Sequence, residues 1–183
     1  RQIKLLIFIS YAYLIKTILY EDKDSFWKVF VWGLGHWGFG MSWIIVSVYY
    51  YGETTILLSS VIYFLLITIL TLVFTCPLLI LNTLLKFLEI NNNFTKSIFI
   101  SSILMVSEFS RYYLLNGVPW LIPGNIFLDT YTQNIYPLFG VAAGSFLIYF
   151  LASIVITFKT NNISYLSLII IVISLIPVSY THL

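Results

Sequence analysis

Of 183 residues, 60% are hydrophobic, 19% aromatic and only 9% charged, with a mean hydropathy of +0.98. No soluble globular domain of this length needs or tolerates that balance, so the chain reads as an integral membrane protein. A net charge of +2, thinly spread, argues against nucleic acid and against acidic substrates as partners. One cysteine, Cys76, excludes an intrachain disulfide and a cysteine-based metal cluster. It lies in an uncharged run with no base nearby, the setting of a buried packing residue rather than a nucleophile.

A membrane-spanning helix needs about 20 mostly apolar residues. Six stretches qualify: about 3–20, 26–51, 54–85, 94–116, 134–158 and 163–177. The expected fold is an all-α integral membrane protein, a bundle of about six transmembrane helices. Tyr49, Tyr50 and Tyr51 close the second stretch as an aromatic belt. The third would be roughly 48 Å long as one helix, too long for an upright span, and Pro77 is its natural kink. Lys86, Glu89, Asn91 to Asn93 and Lys96 form a polar loop, and Lys159 to Asn162 a short turn. Nothing divides the chain, so residues 1–178 read as one polytopic domain and 179–183 as an unstructured or cut end. Arg1 in place of Met also reads as the start of a fragment.

Lysines choose the orientation. Lys16, Lys23, Lys28, Lys86, Lys96 and Lys159 gather at the turns after spans one, three and five, against Arg1, Lys4 and Arg111 on the other side or within a helix. Cytoplasmic loops collect Lys and Arg, so 117–133 and the C-terminus are expected to face outward.

Gly33, Gly35, Gly38 and Gly40 contain the letters of a dinucleotide loop, but they lie inside an apolar span and read as helix-packing positions. His36 among them has no partner at metal-ligand spacing and reads as structural, hydrogen-bonding across helices or bordering a polar cavity. No metal or cofactor is expected.

The stretch Glu108 to Gly124 stands apart. Glu108 and Arg111 are three residues apart on one helical face, deep in an apolar run. Charges there cost several kcal/mol, so such residues pair, face the interior or border water. Gly117 and Pro119 then end the helix, and Trp120 suits the membrane interface. Physics leaves both readings open: a structural ion pair below an interfacial anchor, or a substrate groove with Trp120 at its entrance.

Those residues resemble the membrane portion of apolipoprotein N-acyltransferases. The family pattern of Glu-x-x-Arg followed by Gly-Phe-Pro-Trp-Leu-x-x-Gly is similar to Glu108, Arg111 and Gly117 to Gly124, with Val118 in place of Phe and Asn125 where an aromatic is common. Gly33 to Ser47 and Gly140 to Phe146 resemble two further family segments, so the resemblance covers nearly the whole chain. It implies acyl transfer from a phospholipid to the N-terminal cysteine of a diacylglyceryl-modified lipoprotein in the bacterial inner membrane, with 117–133 facing the periplasm. It also implies a nitrilase-like domain whose Glu-Lys-Cys triad does the chemistry. No such triad matches these 183 residues, and Cys76 matches no part of its motif. No residue here is therefore expected to be catalytic. Glu108, Arg111, Gly117, Pro119 and Trp120 are the candidates for a lipid or substrate groove, and the chain by itself is expected to be inactive. A non-catalytic membrane scaffold that anchors a separate partner is the alternative.

Overall fold

The computed structural model describes residues 3–20, 25–114, 120–158 and 162–177. Its helices are α1 (Ile3–Tyr20), α2 (Ser25–Gly40), α3 (Trp43–Tyr51), α4 (Ile56–Leu79), α5 (Leu81–Phe87), α6 (Asn93–Leu114), α7 (Tyr136–Phe158) and α8 (Asn162–Ser174). Two 3-10 turns, Pro123–Phe127 and Tyr131–Ile135, lie between α6 and α7. Among the described residues the β contact is a single bridge, Thr130 to Pro177.

Two stretches, Ile56–Phe87 and Tyr131–Phe158, are long and apolar enough to cross a membrane; α2 and α3 make a third if the pair is one bent span. Length and composition therefore support two or three spans, not the six expected. Helix α6 shows one reason. Its Lys96, Glu108, Arg111 and repeated serines make it polar for a span, and the fold turns much of that polarity inward. Helix α8 has only 13 residues, about 20 Å of helix.

Three expected spans are interrupted, the stretch 134–158 among them at Gly140, whose φ 70° and ψ 177° are not helical. The stretch 26–51 divides at Met41 and Ser42, with α2 and α3 bent by 52°. The side chain of Leu121 fills the space beside Gly40 at this corner, and Ser42 Oγ donates to the Phe39 carbonyl at 3.2 Å. The stretch 54–85 divides at Ile80, three residues past Pro77. Pro77 has no N–H to offer the Val73 carbonyl, and Ser110 Oγ of α6 approaches that oxygen at 3.4 Å. A hydroxyl from a neighbouring helix is the usual remedy for a freed carbonyl in hydrocarbon.

Helices α6 and α7 are joined by a polar seam. Ser145, Tyr149, Ser153 and Thr157 recur every fourth residue and share one face of α7. Thr157 meets Ser97 at 2.8 Å and Ser153 meets Ser101 at 3.5 Å. Farther along, Tyr149 and Ser145 both meet Glu108, so the two helices run antiparallel. Interhelical hydroxyl contacts of this kind bind membrane helices where burial of apolar surface gives little drive.

The bundle has two distinct ends. At one, Asn82 Nδ2 donates to the Ile18 carbonyl, which ties α5 to the end of α1, and Lys16, Lys28, Lys86 and Lys96 lie on the elements gathered there. At the other, Lys4 Nζ donates to the Leu128 carbonyl at 2.9 Å, and the Tyr131 N–H donates to Ile176. Lys23 and Lys159 lie outside the described residues.

The glycines of α2 divide by direction. A methyl group on Gly33 would stand 2.7 Å from Thr71 Cγ2 of α4, and one on Gly38 would stand 3.3 Å from the Tyr63 hydroxyl, which already donates to the Gly38 carbonyl at 2.6 Å. Gly40 faces Leu121. A methyl group on Gly35 would meet nothing within 4 Å, and the residue lines an open groove. Gly33→Ala is therefore expected to destabilise the bundle by about 1–3 kcal/mol through overpacking, because Thr71 is branched at Cβ and stiff. Gly35→Ala should stay within about 0.5 kcal/mol of the parent. Thermal unfolding of the two variants in one detergent checks both.

Candidate functional site

The site forms where the C-terminal part of α6 meets α7, α2 and the turns after Trp120. Glu108 and Arg111 are 4% and 2% exposed. Arg111 Nη2 stands 3.5 Å from Glu108 Oε1, a long ion pair, and Arg111 Nε donates to the Glu108 carbonyl at 3.2 Å. Its shortest contact runs elsewhere: Nη1 donates to the Trp120 carbonyl at 2.5 Å. The guanidinium also lies over the rings of Trp37, at 4.8 Å, and Tyr112, at 5.2 Å. A buried cation is thus held by a carboxylate, two carbonyls and two aromatic faces. These are the partners a planar, weakly hydrated guanidinium accepts where an ammonium does not.

Glu108 is held on its other side by α7. The Tyr149 hydroxyl donates to Oε2 at 2.5 Å and Ser145 Oγ lies 3.3 Å from Oε1. Ser145 Oγ in turn accepts from the Gly124 N–H at 3.0 Å, and the Tyr136 hydroxyl donates to the Gly124 carbonyl. Charge-assisted bonds of this kind are the strong ones, and buried ones leave little freedom. Both members of the ion pair therefore reach the turn: Arg111 through Trp120, Glu108 through Ser145 and Gly124. Tyr11 of α1 closes the cluster with its ring edge-on to Tyr149, centroids 4.9 Å apart.

Above the pair, Trp120 is 44% exposed and meets Trp43 of α3 edge-on at 5.2 Å. This contact joins the corner of the α2–α3 bend to the loop after α6. Leu121 adopts φ 59°, a conformation costly for a branched side chain, and its side chain fills the space beside Gly40. Gly117 and Pro119, the other expected groove residues, lie outside the described residues.

His36 stacks on Trp32 with ring centroids 5.0 Å apart and lines a groove of about 900 Å³ between α1 and α2. Lys4 stands on the same groove. Cys76 is exposed on α4 rather than buried. The cluster around Glu108 holds no thiol, so what it can do chemically is orient groups rather than attack them.

The structure brings Glu108, Arg111 and Trp120 together and adds Ser145 and Tyr149, which sequence reasoning did not name as site residues. The missed signal was present: four polar residues at a spacing of four in an otherwise apolar helix.

These features define a helical, membrane-type domain whose buried charge pair anchors an aromatic loop at one end. The sequence matches the apolipoprotein N-acyltransferase N-terminal domain family over residues 1–154, and the chain belongs to that family. An apolipoprotein N-acyltransferase of Pasteurella multocida is 27% identical over 135 residues, 74% of this chain and 24% of the relative. The protein of the same name from Methylococcus capsulatus is 30% identical over 134 residues, 70% of this chain and 25% of its own length. One from Haemophilus ducreyi is 27% identical over 158 residues, 86% of this chain and 30% of its own. The chain thus spans about a quarter to a third of the relatives it matches.

Proposed function

We propose that this chain is the membrane platform of an apolipoprotein N-acyltransferase-like enzyme of the bacterial inner membrane. The reaction moves an acyl chain from a phospholipid to the N-terminal amine of a diacylglyceryl-modified lipoprotein cysteine. A cysteine thiolate in a nitrilase-like domain attacks the phospholipid ester, releasing the lysophospholipid, which takes up a proton as its alcohol. The amine then attacks the thioester and frees the thiolate, losing one proton as the amide forms. Splitting the transfer in two replaces one hard step by two easier ones. The residues of this chain supply position: a hydrophobic surface that brings lipids to the chemistry in a restricted orientation.

The observation that carries this reading is the clasp of Arg111 on the Trp120 carbonyl beneath the exposed Trp43–Trp120 pair. It fixes an amphipathic aromatic wall at the end of the bundle opposite Lys16, Lys86 and Lys96. With those lysines cytoplasmic, 117–133 faces the periplasm and the passes α1, α2–α3, α4–α5, α6, α7 and α8 are six spans.

The test has two parts. The parent coding sequence is read beyond Leu183 for a soluble domain with a nitrilase-type cysteine; a stop codon there sinks the enzyme reading and leaves a membrane scaffold. In the intact gene product, Trp120→Ala is expected to raise KM for phospholipid about tenfold or more, with kcat little changed, since a large half-buried ring leaves the lipid contact. Lower expression with unchanged KM would limit Trp120 to anchoring.

A further inference from the structure

At the end opposite Glu108, a cavity of about 660 Å³ opens between the end of α1, helix α5 and the start of α6. Lys86 and Lys96 stand on its walls with Asn82, Asn91 and Glu89. Neither lysine side chain makes an ion pair or hydrogen bond among the described residues. Asn82 spends one N–H on the Ile18 carbonyl and keeps a second. Among the described lining residues, two ammonium groups stand against one carboxylate, a balance of +1 that complements one phosphodiester.

The walls are set by local geometry. Helix α5 ends in a two-bond cap: the Ile90 N–H donates to Leu85 at 3.1 Å and the Glu89 N–H to Lys86 at 3.1 Å. Glu89 takes the left-handed conformation this cap requires, φ 51°. Asn92 Oδ1 then caps α6, accepting from Phe94 N at 2.8 Å and Thr95 N at 3.2 Å. Lys86, Asn91 and Lys96 are therefore carried on a turn pinned at both ends. Beside it, Phe87 is 80%, Leu88 50% and Phe94 51% exposed. A polar, cationic cavity bordered by bare apolar side chains fits a molecule that has a phosphate at one end and hydrocarbon at the other.

We propose that this cavity binds the phosphodiester headgroup of an anionic phospholipid, with acyl chains lying along Phe87, Leu88 and Phe94. The site is separate from the cluster around Glu108 and does not rest on the acyltransferase reading.

The full chain in detergent is titrated with dioleoyl-phosphatidylglycerol or dioleoyl-phosphatidylcholine and followed by native mass spectrometry. The first phosphatidylglycerol should bind at least about fivefold tighter than phosphatidylcholine, the effect of one lysine near a lipid surface. Lys86→Gln with Lys96→Gln should erase that preference, and Glu89→Gln should increase it. Lys16→Gln should leave it unchanged, because Lys16 lines a different cavity at the same end. Among the described residues the lysine side chains make no bond that the variants lose, and circular dichroism checks that helix content is kept. Preference retained in the double lysine variant, or lost equally in Lys16→Gln, overturns the site. Displacement of the lipid by millimolar inorganic phosphate overturns the lipid assignment and leaves a soluble anion as the ligand.

Discussion

Glu108→Ala is expected to destabilise the bundle by about 3–5 kcal/mol, because it leaves a buried guanidinium without its carboxylate. It also removes the acceptor of Tyr149 at 2.5 Å and of Ser145 at 3.3 Å, so two hydroxyls lose partners in the same step. Glu108→Gln separates these causes. Its amide oxygen still accepts from Tyr149, the charge is gone, and the cost should fall to about 1–3 kcal/mol. Replacing Glu108 and Arg111 together by methionine should recover much of the loss, since an apolar pair of similar size leaves no orphaned charge. Recovery in the double variant, measured by thermal unfolding in detergent, gives the coupling between the two side chains. No recovery would place the cost in the contacts of Arg111 with Trp120 and Trp37. In the intact gene product, Glu108→Gln is expected to lower acyl transfer on the order of 100-fold if the clasp positions the loop, the size a displacement of about 1 Å produces. Full activity with normal membrane insertion would reduce the pair to packing.

The pairing of Glu108 with Arg111 was legible because a spacing of three fixes the face of a helix before any fold is known. Its partners on α7 were less so. They lie 37 and 41 residues downstream, and nothing in composition joins two distant helices. Periodicity nevertheless held the information: Ser145, Tyr149, Ser153 and Thr157 on one helix face Ser97, Ser101 and Glu108 on another. A polar stripe in an apolar helix has to meet a polar stripe elsewhere, so the α6–α7 contact could have been proposed from the two patterns together.

Pro77 announced the break at Ile80, whereas the bend at Met41 and Ser42 was the least legible feature. Residues 26–51 hold no proline, and hydropathy reports compatibility with lipid but not direction, so a bend of 52° leaves no trace in it. The bend is stabilised from outside, by Leu121 beside Gly40 and by Trp120 against Trp43. The glycine cluster is likewise silent on direction. Gly33 and Gly40 are seven residues apart and share a face, whereas Gly35 is turned about 200° from Gly33 and meets only the groove.

Gly124→Ala is expected to be the most damaging methyl addition among the described glycines. A Cβ at this position would collide with the backbone carbonyl of Val141 and stand 2.8 Å from the Ser145 nitrogen. These are backbone atoms of α7 and do not rotate away. The approach is mutual: a methyl group on Gly144 would lie 3.0 Å from Gly124 Cα and 3.1 Å from a Phe127 ring carbon. Just before this contact the helix is interrupted at Gly140, whose φ of 70° is a conformation that side chains resist. Relief must come from the turn at Pro123–Phe127, which moves off α7 and gives up the Gly124–Ser145 bond. Overpacking of about 1–3 kcal/mol and a lost buried bond of about 1 kcal/mol together predict a loss of roughly 3 kcal/mol. The same shift draws the Trp120 carbonyl from Arg111, while Ser145 stays on α7 beside Glu108. Gly124→Ala should therefore also uncouple Trp120 from Trp43, seen as a change in tryptophan fluorescence below the melting transition. A variant that melts early but keeps the parent spectrum until it unfolds would show that the clasp holds without the Gly124 contact, and that the buried pair sets the loop by itself.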